Sequence, residues 1–210
     1  MRPLYFLSPK RGNAADIPKA ETKDMQPNRD THKELQHSPE AEWAKFCPRC
    51  GRSLVERYIE IEQHTRKVCS GCGYIYYLNP KVVAGAVPRQ ENLIWLVRRN
   101  IEPSAGSWTF PAGYVDLGES VKDAAIRETR EETRLDIRLD GLLNIYSYAN
   151  VGIVLIAYYA TVIGGVPGPT PESREVRAFR IEDIPWSSLA FSSTRDALTD
   201  YVNFDTEFSR

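Results

Sequence analysis

The chain has 210 residues, 42% hydrophobic and 26% charged, which suits one ordinary globular domain plus a small module. Its 27 basic residues nearly cancel its 28 acidic ones, so global charge excludes itself as an argument for nucleic-acid binding and leaves only local patches. The early apolar run Leu4–Leu7 is too short for a signal-peptide core, and no stretch approaches the roughly 18 apolar residues of a membrane span. A cytoplasmic protein without a membrane partner is expected. Asp16, Glu21 and Asp24 count against an organelle-targeting N-terminus.

Residues 1–45 are polar, carry Pro3, Pro9, Pro18, Pro27 and Pro39, and show no hydrophobic period. They read as a flexible arm, with Glu40–Phe46 able to form a short helix against the next module. Residues 46–78 hold all four cysteines, as Cys47-Pro-Arg-Cys50-Gly and Cys69-Ser-Gly-Cys72-Gly. The spacing C-x2-C-x18-C-x2-C matches a four-cysteine zinc site. Gly51 and Gly73 follow the pairs, where a positive φ is often needed. Four thiolates close a tetrahedral shell, so a zinc ion held by Cys47, Cys50, Cys69 and Cys72 is structural and leaves no open position for chemistry. Disulfides or redox pairs are the alternative, disfavoured in a reducing compartment. Arg49, Arg52, Arg57, Arg66 and Lys67 lie among Tyr58, Tyr74, Tyr76 and Tyr77, a mix that suits phosphates and stacked bases. Solvated surface is the plainer reading, and no nucleic-acid partner is expected.

From Lys81 the chain turns strand-rich, with VVAGAV, LIWLVRR and WTFPAGYV. A helix follows from about Ser120 to Thr133, opened by an N-cap serine with Asp123 three residues on. Strands are expected near LLNIYSY and GIVLIAYYA, then a proline- and glycine-rich loop over 164–172. A strand around Val176–Arg180 and a helix near Ser193–Val202 complete the pattern. Strands mixed with two helices predict an α+β or α/β sandwich. His32, His37 and His64 form no cluster and receive no role.

The helix carries an electrostatic oddity. On a wheel of about 100° per residue, Glu128, Glu131 and Glu132 share one arc with Val121, Ala124, Ala125 and Leu135. An apolar stripe faces the core, so this one runs into three carboxylates. Burying each unpaired would cost several kcal/mol. A hard divalent cation reverses that penalty, since magnesium and manganese prefer oxygen ligands. The alternative is a surface ladder, Asp123–Arg127–Glu131, which leaves Glu128 and Glu132 unexplained.

The sequence before the helix is Gly113-Tyr-Val-Asp-Leu-Gly-Glu119. The combined pattern G-x5-E-x7-R-E-T-x-E-E-x-R-L closely resembles the Nudix box. Two positions depart from it: Thr129 stands at an aliphatic site and Arg134 replaces the last glycine. The approach Trp108-Thr-Phe-Pro-Ala-Gly113, the entry Asn79–Val83, the run R-R-N-I-E-P and the later P-E-S-R-E-V are similar to the branch that joins an N-terminal zinc ribbon to a Nudix domain. The resemblance implies an α/β/α sandwich with a mixed sheet over 79–205, a ribbon over 46–78 and an arm over 1–45. It implies hydrolysis of a nucleoside diphosphate linked to another moiety, with Mg2+ or Mn2+ as cofactor.

On that resemblance Glu128, Glu131 and Glu132 are the expected metal ligands, with Glu119 through Arg127 or water and the carbonyl of Ala112 in addition. The general base stays open between Glu132, Glu128 and a carboxylate outside the box, Glu175 before Glu172. Arg98 and Arg99 are candidates to hold a phosphate. Tyr146 and Tyr148 are candidates to stack on a base, whereas Trp108 reads as packing. NADH pyrophosphatases of this branch carry an S-Q-P-W-P-F-P-like motif after the box, and here that region reads LLNIYSYANVGIVLIAYY. ADP-ribose or FAD is therefore the expected substrate, NADH the alternative, and a nucleotide-sensing or nucleic-acid-binding regulator the alternative of another class. The family also implies a homodimer.

Overall fold

The computed structural model describes residues 44–148 and 151–208, with the backbone alone for 205–208. The arm expected over 1–45 and most of the helix expected at Glu40–Phe46 lie outside the described residues. The first part described is a three-stranded antiparallel sheet of β1 (Leu54–Ile59), β2 (His64–Cys69) and β3 (Ile75–Tyr76). Each cysteine pair occupies the same turn. Gly51 N–H donates to Cys47 O (2.8 Å) and Gly73 N–H to Cys69 O (3.2 Å), with φ of 74° and 70° at the two glycines. Those positive angles are what a glycine there supplies at no steric cost.

The larger sheet holds β4 (Lys81–Gln90), β5 (Leu93–Arg99), β6 (Trp108–Thr109), β7 (Ala112–Tyr114), β8 (Leu135–Tyr148), β9 (Ile153–Gly165) and β10 (Ser173–Arg180). Its order is β10-β5-β4-β9-β8, with β4 and β9 parallel and the other pairs antiparallel. Helices α1 (Val121–Thr133) and α2 (Ser192–Phe208) cover its two faces. Alternation along the strands divides the core. Ala84, Ala86, Tyr158 and Ala160 meet Ala124 and Ala125 of α1. Val87, Ile94, Leu96, Trp108 and Leu155 meet Ala197, Leu198 and Tyr201 of α2. The expected sandwich with a mixed sheet is thus what the chain forms. Among the described residues no helix is long and apolar enough to cross a membrane.

Two details place the candidate site. Strands β4 and β5 pair only at their turn, and the segment 108–114 fills the gap where they splay, β6 on β5 and β7 on β4. What reads as one strand, WTFPAGYV, is therefore two short ones, divided at Phe110 and Pro111, since a proline has no N–H to give a ladder. On the α1 face the sheet and helix meet through alanines that are at most 2% exposed. Such small side chains bring the helix backbone close to the sheet.

Several elements outrun their sequence signals. β8 begins at Leu135 rather than near Leu142, because its first half, Leu135 to Asp140, alternates buried and polar residues at the sheet edge. As a correction to the helical-wheel reading, Leu135 opens this strand and is no part of the helix stripe. α2 runs to Phe208, beyond the expected Val202.

Helix α1 starts as expected. Ser120 accepts from Asp123 N–H (3.1 Å) and donates its hydroxyl to Asp123 Oδ2 (2.6 Å). Thr129 is fully buried and donates to Ala125 O (2.8 Å), which lets a threonine stand where an aliphatic residue is the rule. Arg134 ends the helix in the left-handed region, φ 64° and ψ 15°, with its N–H on Arg130 O (2.8 Å). The arginine thus takes the conformation a glycine would take, at a cost of about 1 kcal/mol. Its side chain lies along Gly168. Arg134→Gly removes the strain, loses that packing and loosens the unfolded chain, so a net gain of at most about 1 kcal/mol is expected. The check is a denaturant titration with steady-state kinetics: kcat should hold within about twofold, and a large change would make Arg134 part of the chemistry.

Candidate functional site

In the ribbon, the four Sγ atoms of Cys47, Cys50, Cys69 and Cys72 lie within 4.8 Å of one another. Cys47 and Cys72 are 3.8 Å apart and Cys50 and Cys69 3.4 Å, too far for disulfides. A zinc–sulfur bond of about 2.3 Å gives a tetrahedron with edges of about 3.8 Å, so the cluster fits that ion. Cys72 N–H and Gly71 N–H both donate to Cys69 Sγ at 3.4 Å and draw its pKa down to about 6. The thiolate is thus favoured at Cys69, whereas at Cys50, against the pull of the Arg52 amide, the neighbouring cysteine thiols push the pKa up to about 11.

The second site is built on α1 and β7. Glu128 and Glu132 lie one turn apart on the buried side, 9% and 7% exposed. Gly113 faces Glu128 so closely that a Cβ there would sit 2.2 Å from its carboxylate. The strand must be bare at that point. Ala112 N–H donates to Glu132 Oε2 at 3.3 Å. Burial pushes the Glu132 carboxyl up to about 8, helped by the charge of Glu128 and opposed by the Ala112 amide and Arg99. Burial also raises Glu128, against the pull of Arg127. Two carboxylates are thus forced together in a poorly solvated spot with one backbone donor. An all-oxygen donor set of this kind suits a hard divalent cation.

Arg127 organises the rim. Its guanidinium donates to Glu119 (2.7 and 3.0 Å), Glu128 (2.7 Å), Glu131 (3.0 Å) and the carbonyl of Tyr114 (3.0 Å). That grip, with the Asp116 amide, holds the Glu119 carboxyl down to about 2. The ladder Asp123–Arg127–Glu131 is half present, since Asp123 takes the Ser120 hydroxyl instead. Glu131 departs from its expected place on the buried stripe: its side chain is 60% exposed and stands at the rim. Glu131 lies at the edge of the wheel's apolar arc, about 100° from Glu132, where the helix face opens to solvent.

Outside the helix the sheet sorts the remaining candidates. β10 has a bulge between Ser173 and Glu175, so Ser173 pairs with Arg99 while Glu175 pairs with Arg98. Adjacent residues of a strand point to opposite faces. Arg99 and Ser173 therefore face α1, and Arg98 and Glu175 face α2. Arg98 bonds Gly106 O (2.8 Å), lies 3.6 Å from Glu175 and stacks on Trp108. Glu175 also pairs with Arg177. By contrast Arg99 and Glu172 both act on the charge of Glu132. Tyr146 and Tyr148 turn out to be anchors for α2, donating to Asp200 (2.7 Å) and Asp196. Trp108 packs edge-on against Phe179, as expected of a core residue. A bulge has no sequence signature strong enough to find it, so the face that Glu175 takes is not legible from the residues alone.

Residues 79–200 match the NUDIX domain model and residues 45–78 the Nudix N-terminal (zinc ribbon) model. The chain belongs to the Nudix family and is a Nudix hydrolase with an N-terminal ribbon. It is 30% identical over 135 residues to an ADP-ribose pyrophosphatase of Methanocaldococcus jannaschii, covering 62% of this chain and 78% of that one. It is 31% identical over 144 residues to an NAD-capped RNA hydrolase of Stutzerimonas stutzeri, covering 67% of this chain but only 50% of that protein. Among solved structures, a NUDIX hydrolase from Nitrosomonas europaea superposes with a TM-score of 0.73 at 36% identity, over 76% of this chain and 90% of that one.

Two outcomes are expected. Metal analysis of the purified protein should give one zinc per chain, lost in Cys50→Ser; a ratio near zero would exclude the ribbon site. In chelator-treated protein at the α1 site, the folded Glu132 keeps a proton up to about 8 while an unfolded glutamate releases it near 4.5. Folding stability should then fall as pH rises through that window. Thermal melts at several pH values should show the slope flattened in Glu132→Gln.

Proposed function

We propose that this protein hydrolyses the diphosphate bond of a nucleoside diphosphate joined to another moiety, with ADP-ribose as the first candidate and FAD the next. The observation that carries this reading is the buried pair Glu128 and Glu132 against a strand bared at Gly113. The similarity to the ADP-ribose pyrophosphatase of Methanocaldococcus jannaschii supports ADP-ribose. The chemistry divides into 46–78 as a structural ribbon and 79–205 as the hydrolase.

Glu128 and Glu132 are the core of the proposed Mg2+ or Mn2+ site, with Glu131, Glu119 and the Ala112 carbonyl at its rim. A bound divalent ion neutralises the diphosphate and lowers the pKa of water. The protein's own groups do the rest. Arg127 holds three glutamates in fixed positions, and the Ala112 amide orients Glu132. Arg99, on the α1 face, acts on the charge of Glu132 and is our candidate to meet a phosphate, exchanging its present bond to Pro103 O (2.9 Å) and its place over the Phe191 ring; Arg98 is engaged by Glu175 and Gly106. Water adds to one phosphorus, the bridging P–O bond breaks, and two phosphomonoesters leave. Glu172 is the carboxylate we favour to take the proton of that water, with Glu132 next. Glu175, held by Arg98 and Arg177, is the weaker candidate.

A NAD-type dinucleotide is the second reading, favoured by the match to the Stutzerimonas stutzeri protein over 67% of this chain. A cytoplasmic homodimer that binds neither membrane nor nucleic acid remains part of the proposal. The test is release of AMP from ADP-ribose, FAD and NADH with and without Mg2+ or Mn2+. Turnover should require the metal. Glu132→Gln and Glu172→Gln should each lower kcat roughly 100-fold or more with the fold retained, while Glu175→Gln stays within about threefold. A chain that turns over none of these substrates is a sensor or regulator instead.

A further inference from the structure

The segment between β9 and β10 closes the end of α1. The last carbonyls of a helix have no amide of their own to meet. Here Gly168 N–H donates to Thr133 O (3.3 Å) and the Ser173 hydroxyl to Glu132 O (2.5 Å). Ser173 is 1% exposed, so this is a buried bond with no water to replace it. Its hydroxyl also meets Thr170 Oγ1 (2.9 Å). Thr170 Oγ1 accepts from Ser173 N–H (3.2 Å), and Thr170 N–H donates to Ser173 O (2.8 Å). The two residues form a closed ring of hydrogen bonds, with Pro171 and Glu172 inside it. Asn100 pins the outer side, donating from its amide to Glu172 O (2.8 Å) and from Nδ2 to Pro171 O (3.0 Å).

The connectivity is short. Ser173 follows Glu172 in the chain and bonds the main chain of Glu132. A single residue therefore spans the two carboxylates assigned above to the chemistry. We propose that Ser173 and Thr170 are positioning residues: a hydroxyl clasp that fixes Glu172 relative to Glu132 for hydrolysis. This rests on the pyrophosphohydrolase reading. Neither residue touches the substrate; each acts by keeping the loop in register with the helix end.

Ser173→Ala leaves Glu132 O without its hydroxyl donor and leaves Thr170 Oγ1 only the backbone N–H of residue 173, which shifts the loop. Thr170→Val removes the second hydroxyl at nearly constant volume, and Thr170→Ser keeps it. For Ser173→Ala and Thr170→Val, kcat should fall roughly 10- to 100-fold with KM within about threefold, the signature of lost positioning. Thr170→Ser should behave as the parent. A second readout needs no turnover: amide hydrogen exchange in chelator-treated protein. The amides of Gly168 and Thr170 should exchange about tenfold faster or more in the two hydroxyl-deleted variants, with helix amides unchanged. Unchanged exchange, unchanged kcat, or a change in KM alone overturns the clasp. Should Ser173→Ala fail to fold, the Thr170→Val and Thr170→Ser pair decides. A parent protein that hydrolyses no dinucleotide defeats the pyrophosphohydrolase reading, whereas turnover indifferent to both hydroxyls defeats the clasp alone.

Discussion

Two carboxylates sit where a core would ordinarily continue. Glu128 and Glu132 occupy the stripe of α1 that Ala124 and Ala125 begin, and the sheet beneath them is lined with alanine and glycine. Burial of such groups opposes ionisation, and their proximity opposes it further. The rest of this face is arranged around that constraint. Gly113 makes room for one carboxylate, the Ala112 amide steadies the other, and Arg127 lies along the rim. The alanines serve the same end, since only short side chains let α1 approach the strand that carries Ala112 and Gly113.

The helix is held at both ends by hydrogen bonds from outside it. Ser120 caps the start by accepting from Asp123 N–H, and Gly168 and Ser173 donate to the last carbonyls. The buried threonines between them, Thr129 and Thr133, return their hydroxyls to carbonyls one turn back. The helix is therefore a rigid rod with defined ends, which is what a site with closely spaced like charges requires. Flexibility at either end would let the carboxylates swing apart toward solvent.

Much of this was legible in the sequence. The cysteine spacing gave the ribbon's cluster, because four sulfur atoms on two tight turns have few ways to meet. The helix, its serine cap and the burial of Glu128 and Glu132 followed from periodicity. Glu131 escaped that logic because a wheel places residues by angle alone, while the boundary of a buried face is set by what packs there, here the narrow strand β7. The polar first half of β8 was invisible because an edge strand needs only one buried side. Arg98, Arg99, Glu172 and Glu175 were all found as candidates, but the pattern of residues does not say which face each one takes.

The bulge at Arg174 decides that last matter, and its consequence reaches beyond geometry. Residues 172 and 175 are near neighbours in the chain, yet Glu172 acts on the charge of Glu132 while Glu175 pairs with Arg98 on the other face. Which glutamate can serve the site is a property of strand register. Without the bulge Glu175 would pair with Val97 and turn toward α1, with no carboxylate altered. A lineage could reassign that role through a change of register, and a position-by-position comparison of side chains would record nothing lost.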